Sequence, residues 1–196
     1  MDKWLKNIQL DGYLVKLLPL SKDHKKDLVK AAADGELWNL WYTSVPSKQT
    51  IDEYLDFALS ENQAGRAHAF VVIDKSTDKI IGSTRYCNAI NDNRVEIGYT
   101  WYAKSTQRTG INTECKSLLL THAFEKLNCI AVEFRTHWHN LASRNAILRL
   151  GAKQDGVLRN HLLDADGHYR DTVVFSITKE EWPTVKKSLN FKMESY

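Results

Sequence analysis

Residues 95–127, VEIGYTWYAKSTQRTGINTECKSLLLTHAFEKL, change hydrophobic period midway, and this change constrains the fold more than any other feature of the chain. Val95, Ile97, Tyr99 and Trp101 alternate with Glu96, Gly98 and Thr100, the period of a strand with two unlike faces. From Gly110 to Leu127 the apolar residues recur at helical spacing. Ile111, Cys115, Leu118 and Leu119 form a central stripe, widened by Leu120, Ala123, Phe124 and Leu127. A stripe that broad needs a sheet to lie on, and the strand before it supplies one, so the chain reads as α/β. The turn between them, Gln107 to Asn112, is richer in polar groups than a helix start requires. It serves either as a plain cap or as an anion site built from the unpaired amides and positive dipole of the helix end. It is not a P-loop, since no Gly-Lys-Ser/Thr follows, and it lacks the glycines of a dinucleotide fingerprint.

The rest of the chain alternates in the same way. Tyr13 to Leu20 reads as a first strand, and Ser21 caps a helix carrying Leu28, Ala31 and Ala32. Thr50 and Glu53 have capping-box spacing at the start of a second helix with Ile51, Tyr54, Leu55, Ala58 and Leu59 on one face. Strands are expected at 68–74, 80–90 and 94–102, joined by turns at 75–79 and 91–94, so that four strands in meander order precede the Gln107 turn. After the long helix come a strand with Ile130, Val132 and Phe134 on one face and Glu133, Arg135 and His137 on the other, and a short helix stopped by Gly151. A hairpin turning at 164–168 and a terminal helix close the chain. No repeat or linker interrupts it, so residues 1–196 read as a single domain.

Composition narrows the function. A net charge of +3 with acids and bases interspersed argues against nucleic acid. Cys87, Cys115 and Cys129 are odd in number and far apart, which points to a reducing compartment rather than a disulfide framework. The first residues lack the apolar core of a signal peptide, and no apolar run approaches the ~18 residues of a membrane span. The expected location is cytoplasmic. Cys115 falls in the helix stripe and reads as packing. His137 and His139 share a strand face, but no Cys or carboxylate stands at zinc spacing, so no metal is expected.

The segment EIGYTWYAKSTQRTGINTE resembles the coenzyme-A-binding segment of the GNAT N-acetyltransferases, in which a strand runs into a Gln/Arg-x-x-Gly-x-Gly/Ala loop. Gln107, Arg108, Thr109, Gly110 and Ile111 match, and Asn112 stands where the family has Gly or Ala. The segment HNLASRNAILRLGA resembles the RimJ/RimL-like branch, the ribosomal-protein N-terminal acetyltransferases, through Asn140, Ser143, Arg149, Gly151 and Ala152. The order of elements matches from about Gly12 to Thr178.

The resemblance implies a central mixed, mostly antiparallel sheet of about seven strands flanked by helices, splayed where acetyl-CoA binds. It implies pantetheine contacts at Tyr99, Thr100 and Trp101, and a pyrophosphate on the amides around Gln107, Arg108, Thr109, Gly110, Ile111, Asn112 and Thr113. Asn140 would hold the pantetheine amide, and Ser143 would donate to the leaving thiolate. Both residues are also ordinary helix caps. For the proton of the attacking amine the candidates are Glu96, Glu133 and His137, or no dedicated base. Each acid is equally readable as a structural ion pair with Arg94 or Arg135. Trp38, Trp41 and Tyr42 would wall the acceptor pocket, with Arg85 and Tyr86 on the facing strand and His137 beside them. The expected activity is acetyl transfer from acetyl-CoA to a primary amine, a peptide or protein N-terminal α-amine or a small amine, by direct attack in a ternary complex. A non-catalytic acyl-CoA sensor of the same fold is the alternative. A homodimer is compatible with the exposed strands and aromatic surface.

Overall fold

The computed structural model describes residues 4–5, 7–90, 93–164 and 166–194. Eight strands form one sheet in the order β1-β2-β3-β4-β5-β6-β8-β7. They are β1 (Leu10–Asp11), β2 (Val15–Pro19), β3 (His68–Asp74), β4 (Lys79–Ile90), β5 (Arg94–Tyr102), β6 (Ala131–His137), β7 (Lys153–Leu163) and β8 (Tyr169–Thr178). The helices are α1 (Lys25–Ala33), α2 (Ile51–Gln63), α3 (Ile111–Glu125), α4 (Leu141–Arg149) and α5 (Trp182–Met193). The expected fold is present, with the two-residue β1 as an extra edge. The turn at 91–94 falls partly outside the described residues. Gly151 ends α4 at φ +99°, a conformation glycine adopts without the Cβ penalty.

Helices cover both faces. On one, α3 and α5 bury Leu119, Leu120, Phe124, Trp182 and Leu189 against Val95, Ile97, Val132, Phe134 and Phe175. On the other, α1 and α2 bury Leu28, Ile51, Leu55 and Ala58 against Ala69, Val71 and Trp101. Cys115 is fully buried in the first cluster, and all three cysteines are free thiols. Among the described residues no helix is long and apolar enough to cross a membrane.

Four local expectations are corrected. The Thr50–Glu53 capping box does not form, because Thr50 Oγ1 instead accepts the Ser47 N–H at 2.9 Å in the preceding turn. Ile130 lies before β6 and is half exposed, outside the Val132–Phe134 face. The long helix stops at Glu125, where Asn128 turns left-handed at φ +57°. The alternation of β5 also breaks. Ser83 pairs with Trp101 and Arg85 with Gly98, so β5 spends three residues where β4 spends two. This is a β-bulge, with Tyr99 at φ +51°. Because side-chain period in a strand is two, one extra residue reverses every face beyond it. Val95 and Ile97 face α3, whereas Trp101 packs in the α1–α2 cluster.

β5 and β6 are the parallel neighbours, joined through the α3 crossover. Their pairing covers only Arg94–Glu96 with Ala131–Glu133. Past Glu96 the bulge turns β5 toward β4, β6 runs on with β8, and the two strands part.

Candidate active site

The cleft between β5 and β6 is edged by β5 backbone that pairs with no strand on that side. At its end the chain passes through a short 3-10 turn, Lys104–Thr106, into α3. Side chains brace this loop from within. Gln107 Nε2 donates to the Tyr102 carbonyl at 2.9 Å, and Thr109 Oγ1 donates to the Thr106 carbonyl at 2.7 Å. The Thr109 hydroxyl also accepts the Ile111 N–H at 3.3 Å. Arg108 sits at φ +63°, and Gly110 is a buried N-cap residue with no side-chain cap. Among the described residues the amides of Arg108, Thr109, Gly110, Asn112 and Thr113 find no protein acceptor, and Thr113 Oγ1 is buried without a partner. These donors surround the positive end of a 15-residue helix. An extended anion such as a pyrophosphate satisfies them. Ile111 contributes a core side chain rather than a contact surface.

Two ties fix the cradle to the rest of the fold. Ser105 N–H and Oγ both reach Asp34 Oδ2. Glu114, in the first turn of α3, accepts the N–H groups of Tyr13, Leu14 and Val15 at 2.8, 2.7 and 2.8 Å. Next to it, Lys116 is buried with no carboxylate partner among the described residues. Its Nζ donates to the hydroxyls of Thr84 and Thr100, and burial lowers its pKa to about 8.

Glu96 and Glu133 are direct neighbours across the parallel pair. Their surroundings differ. Glu133 is clamped by Arg94 Nε at 2.9 Å and Arg135 Nε at 2.6 Å. Glu96 accepts from Asn88 Nδ2 at 2.7 Å and has Arg135 only at 3.6 Å. Burial above all, with the like charge of Glu133 adding, raises the Glu96 carboxyl above its ordinary range, against the pull of Asn88 and Arg135. His137 Nδ1 accepts the His139 N–H at 3.0 Å, so the neutral ring carries its proton on Nε2, facing Asp164 at 3.5 Å. That leaves the neutral imidazole without a free basic nitrogen.

At the other rim, Asn140 Oδ1 accepts the Ser143 N–H at 3.0 Å and caps α4. The half-buried Ser143 hydroxyl has no acceptor or donor among the described residues. Trp41 is 65% exposed and packs edge-on against Tyr42 and His137 and at a tilt against His139, so Trp41, Tyr42 and His137 lie in one ring cluster. Trp38 is drawn into the α1–α2 core instead. Tyr86 departs from its expected place. Neighbours on a strand point to opposite faces, and Tyr86 is buried on the α3 side, donating to the Leu119 carbonyl. Arg85 does face α2, beneath Tyr54, Phe57 and Tyr99. Tyr54 and Phe57 were legible only as one stripe residue and its neighbour at i+3. Their meeting with Arg85 depends on how α2 lies on the sheet.

A splayed parallel pair, an unclaimed amide cradle at the helix that follows, and paired carboxylates at the fork meet along one cleft. Residues 15–153 match the acetyltransferase (GNAT) domain, and the chain belongs to the GNAT acetyltransferase family. It is 23% identical over 127 residues to an Escherichia coli (strain K12) [ribosomal protein uS5]-alanine N-acetyltransferase, covering 62% of each chain. The structure superimposes on a GCN5-related N-acetyltransferase from Brucella melitensis with a TM-score of 0.85, at 26% identity over 96% of this chain and 86% of that one. It shares its fold with Mycobacterium smegmatis RimJ, a structure in complex with CoA-disulfide, at a TM-score of 0.78 and 22% identity over 95% of both chains. The chain spans about half to two thirds of the length of the curated relatives it matches.

Proposed function

We propose that the chain acetylates a primary amine, a peptide or protein N-terminal α-amine or a small amine, by direct attack within a ternary complex. The observation that carries this reading is the set of unclaimed amides at Arg108–Thr113 beside the unpaired edge of β5. The E. coli relative's action on a ribosomal protein supports the peptide option. The amides of Arg108, Thr109, Gly110, Asn112 and Thr113 hold the pyrophosphate of the donor, and the backbone of Tyr99, Thr100 and Trp101 lines the pantetheine. Bound acetyl-CoA supplies an activated acyl group whose C–S bond breaks as the new C–N bond forms. Glu96, held above its ordinary pKa, takes the proton that the ammonium must lose, directly or through water. Glu133 is held between two arginines and orients Arg135 toward Glu96. The Ser143 hydroxyl donates to the departing thiolate. Trp41, Tyr42 and His137 line the side from which the amine enters.

Calorimetric titration of acetyl-CoA tests the cradle. Wild type is expected to bind in the micromolar range, and Gly110→Asp, which adds bulk and a negative charge among the amides, to lose at least about tenfold in affinity. Equal binding by both would remove the cradle from the reading. Thiol release over a panel of amines and peptides tests turnover. Ser143→Ala and Glu96→Gln lower it in an enzyme, whereas a sensor shows none to lose.

A further inference from the structure

Among the described residues Arg85 is the largest fully buried side chain. All three of its guanidinium nitrogens, Nε, Nη1 and Nη2, lack a hydrogen-bond partner among the described residues. Five N–H donors on a permanent cation are therefore held in the interior unanswered. A buried charge is strongly disfavoured unless it is paired, and an unsatisfied buried group points to something that belongs there.

The nearby acids are committed elsewhere. Glu61 forms its ion pair with Arg66. Glu96 lies two cross-strand pairs along the sheet, opposite Cys87, and is held by Asn88 and Arg135. What surrounds Arg85 is aromatic: its carbon Cζ lies 3.9 Å from the Tyr99 ring centroid, 5.1 Å from Tyr54 and 5.7 Å from Phe57. Ring faces attract the charge, but they do not replace planar oxygen acceptors for the fork. Two of the three rings are themselves open to solvent. Phe57 is 47% and Tyr99 42% exposed, with centroids 6.1 Å apart, so together they form a thin cover over the cation. Tyr99 is also the left-handed residue of the bulge that parts β5 from β6. The cover thus belongs to the same backbone feature that forms the cleft.

We propose that Arg85 is a carboxylate socket of the acceptor site and that the physiological acceptor is an amine bearing a carboxylate close to the reacting nitrogen. The proposal rests on the acetyltransferase reading of the cleft. The Arg85 pair, with Gly98, is separated from the Cys87–Glu96 pair by a single rung, Tyr86–Ile97. Two residues of strand span about 7 Å, so one small molecule can reach both the socket and Glu96. Bidentate pairing with the guanidinium fork would orient the amine toward the acid and satisfy the buried donors, with Phe57 and Tyr99 swinging aside to admit it. A free amino acid and an acidic side chain at a peptide N-terminus share this chemistry.

The experiment uses the full chain and matched acceptors: lysine against cadaverine, phenylalanine against phenethylamine, and the tripeptide amides Glu-Ala-Ala against Gln-Ala-Ala. Thiol release gives kcat/KM for each, and thermal shift with unreactive CoA present gives binding without turnover. Wild type is expected to favour the carboxylate member of at least one pair by about tenfold or more. The amino-acid pairs and the peptide pair separate the two sources. Arg85→Met is expected to abolish the preference, and Arg85→Lys, which keeps the charge but not the fork, to restore it only in part. Acetyl-CoA affinity, measured on the same variants, shows whether they remain folded and loaded. Equal use of both members by wild type, or a loss in Arg85→Met that is the same for both, overturns the socket. If acetyl-CoA binds but nothing turns over, carboxylate-dependent stabilisation of wild type and not of Arg85→Met upholds the socket, and its absence overturns it. Absence of acetyl-CoA binding and of any thiol release instead overturns the acetyltransferase reading, and the same thermal shifts still decide the socket.

Discussion

Replacing Glu114 by alanine removes three acceptors in one step, from Tyr13, Leu14 and Val15. The carboxylate is 9% exposed, and the Val15 N–H it holds is buried. A hydrogen bond to a charged group contributes about 1.5–3 kcal/mol when its donor is left without water, and the two half-exposed donors about 0.5–1 kcal/mol each. Relief of the desolvated charge offsets part of this sum, leaving an expected loss of about 2–4 kcal/mol. For a chain of this length that lowers Tm by about 5–15 °C. Gly12 gives an independent handle on the same contact. A Cβ there would lie 2.6 Å from both Cδ and Oε2 of Glu114, closer than atoms tolerate, so Gly12→Ala should displace the carboxylate at about 1–3 kcal/mol. In the double variant the three atoms nearest the added methyl are gone. The two losses should therefore fall short of additivity by about 1 kcal/mol or more. Urea denaturation of the four proteins measures the cycle. Additive losses, or a Glu114→Ala effect below about 1 kcal/mol, refute the argument that this carboxylate ties α3 to the β1–β2 turn.

Lys116 gives a pH-dependent counterpart. Its folded pKa of about 8 lies below the ordinary 10.5, so between these values the unfolded chain holds more protons. Stability therefore rises with pH across that window, by up to about 3 kcal/mol, and is level below it. Lys116→Met leaves Thr84 and Thr100 bonded to each other at 2.8 Å and should be more stable than wild type at pH 7, the gap closing toward pH 10. An equal gap at both pH values argues against it. Gly82→Ala would place a Cβ 2.1 Å from the Trp101 carbonyl oxygen, so it should disrupt the β4–β5 pairing at about 3 kcal/mol. A Tm within 2 °C of wild type, read by calorimetry, would show that the strands yield easily. Glu96 has a raised folded pKa, so its contribution to stability falls as pH rises through that value, while proton acceptance improves over the same range. Glu96→Gln is expected to lower kcat about 100-fold and flatten the acid limb of the rate profile. Glu133→Gln should keep that limb but lose stability, because Arg94 and Arg135 lose their shared partner. Identical profiles for the two variants would contradict the division of roles.

Much of the site lay open in the sequence because its parts are local. The amide cradle is a helix start, and Gln107 to Thr113 are consecutive. Asn140 and Ser143 stand three apart, the spacing of a cap and the amide it accepts. What failed was the inference from alternation. Tyr99 and Trp101 were expected to share a face with Val95 and Ile97, but the extra residue in β5 separates them, and nothing in the apolar pattern announces a bulge. Arg85 and Tyr86 were grouped as neighbours in sequence, although adjacent strand residues point apart. Glu114 and Lys116 stand outside the apolar stripe of α3, yet that helix is buried around most of its circumference.

Period, punctuation and helix-end chemistry act over a few residues, so the amino-acid sequence alone determined most of the elements, their order and the polar turn at the start of α3, while the mixed sheet was implied by the family resemblance. Register across strands, the parting of β5 from β6, the unequal settings of Glu96 and Glu133, and the aromatic cover over Arg85 were decided only by tertiary structure. Each depends on groups far apart in the chain, and the free energy of a buried charge is set by whichever neighbours the fold brings to it.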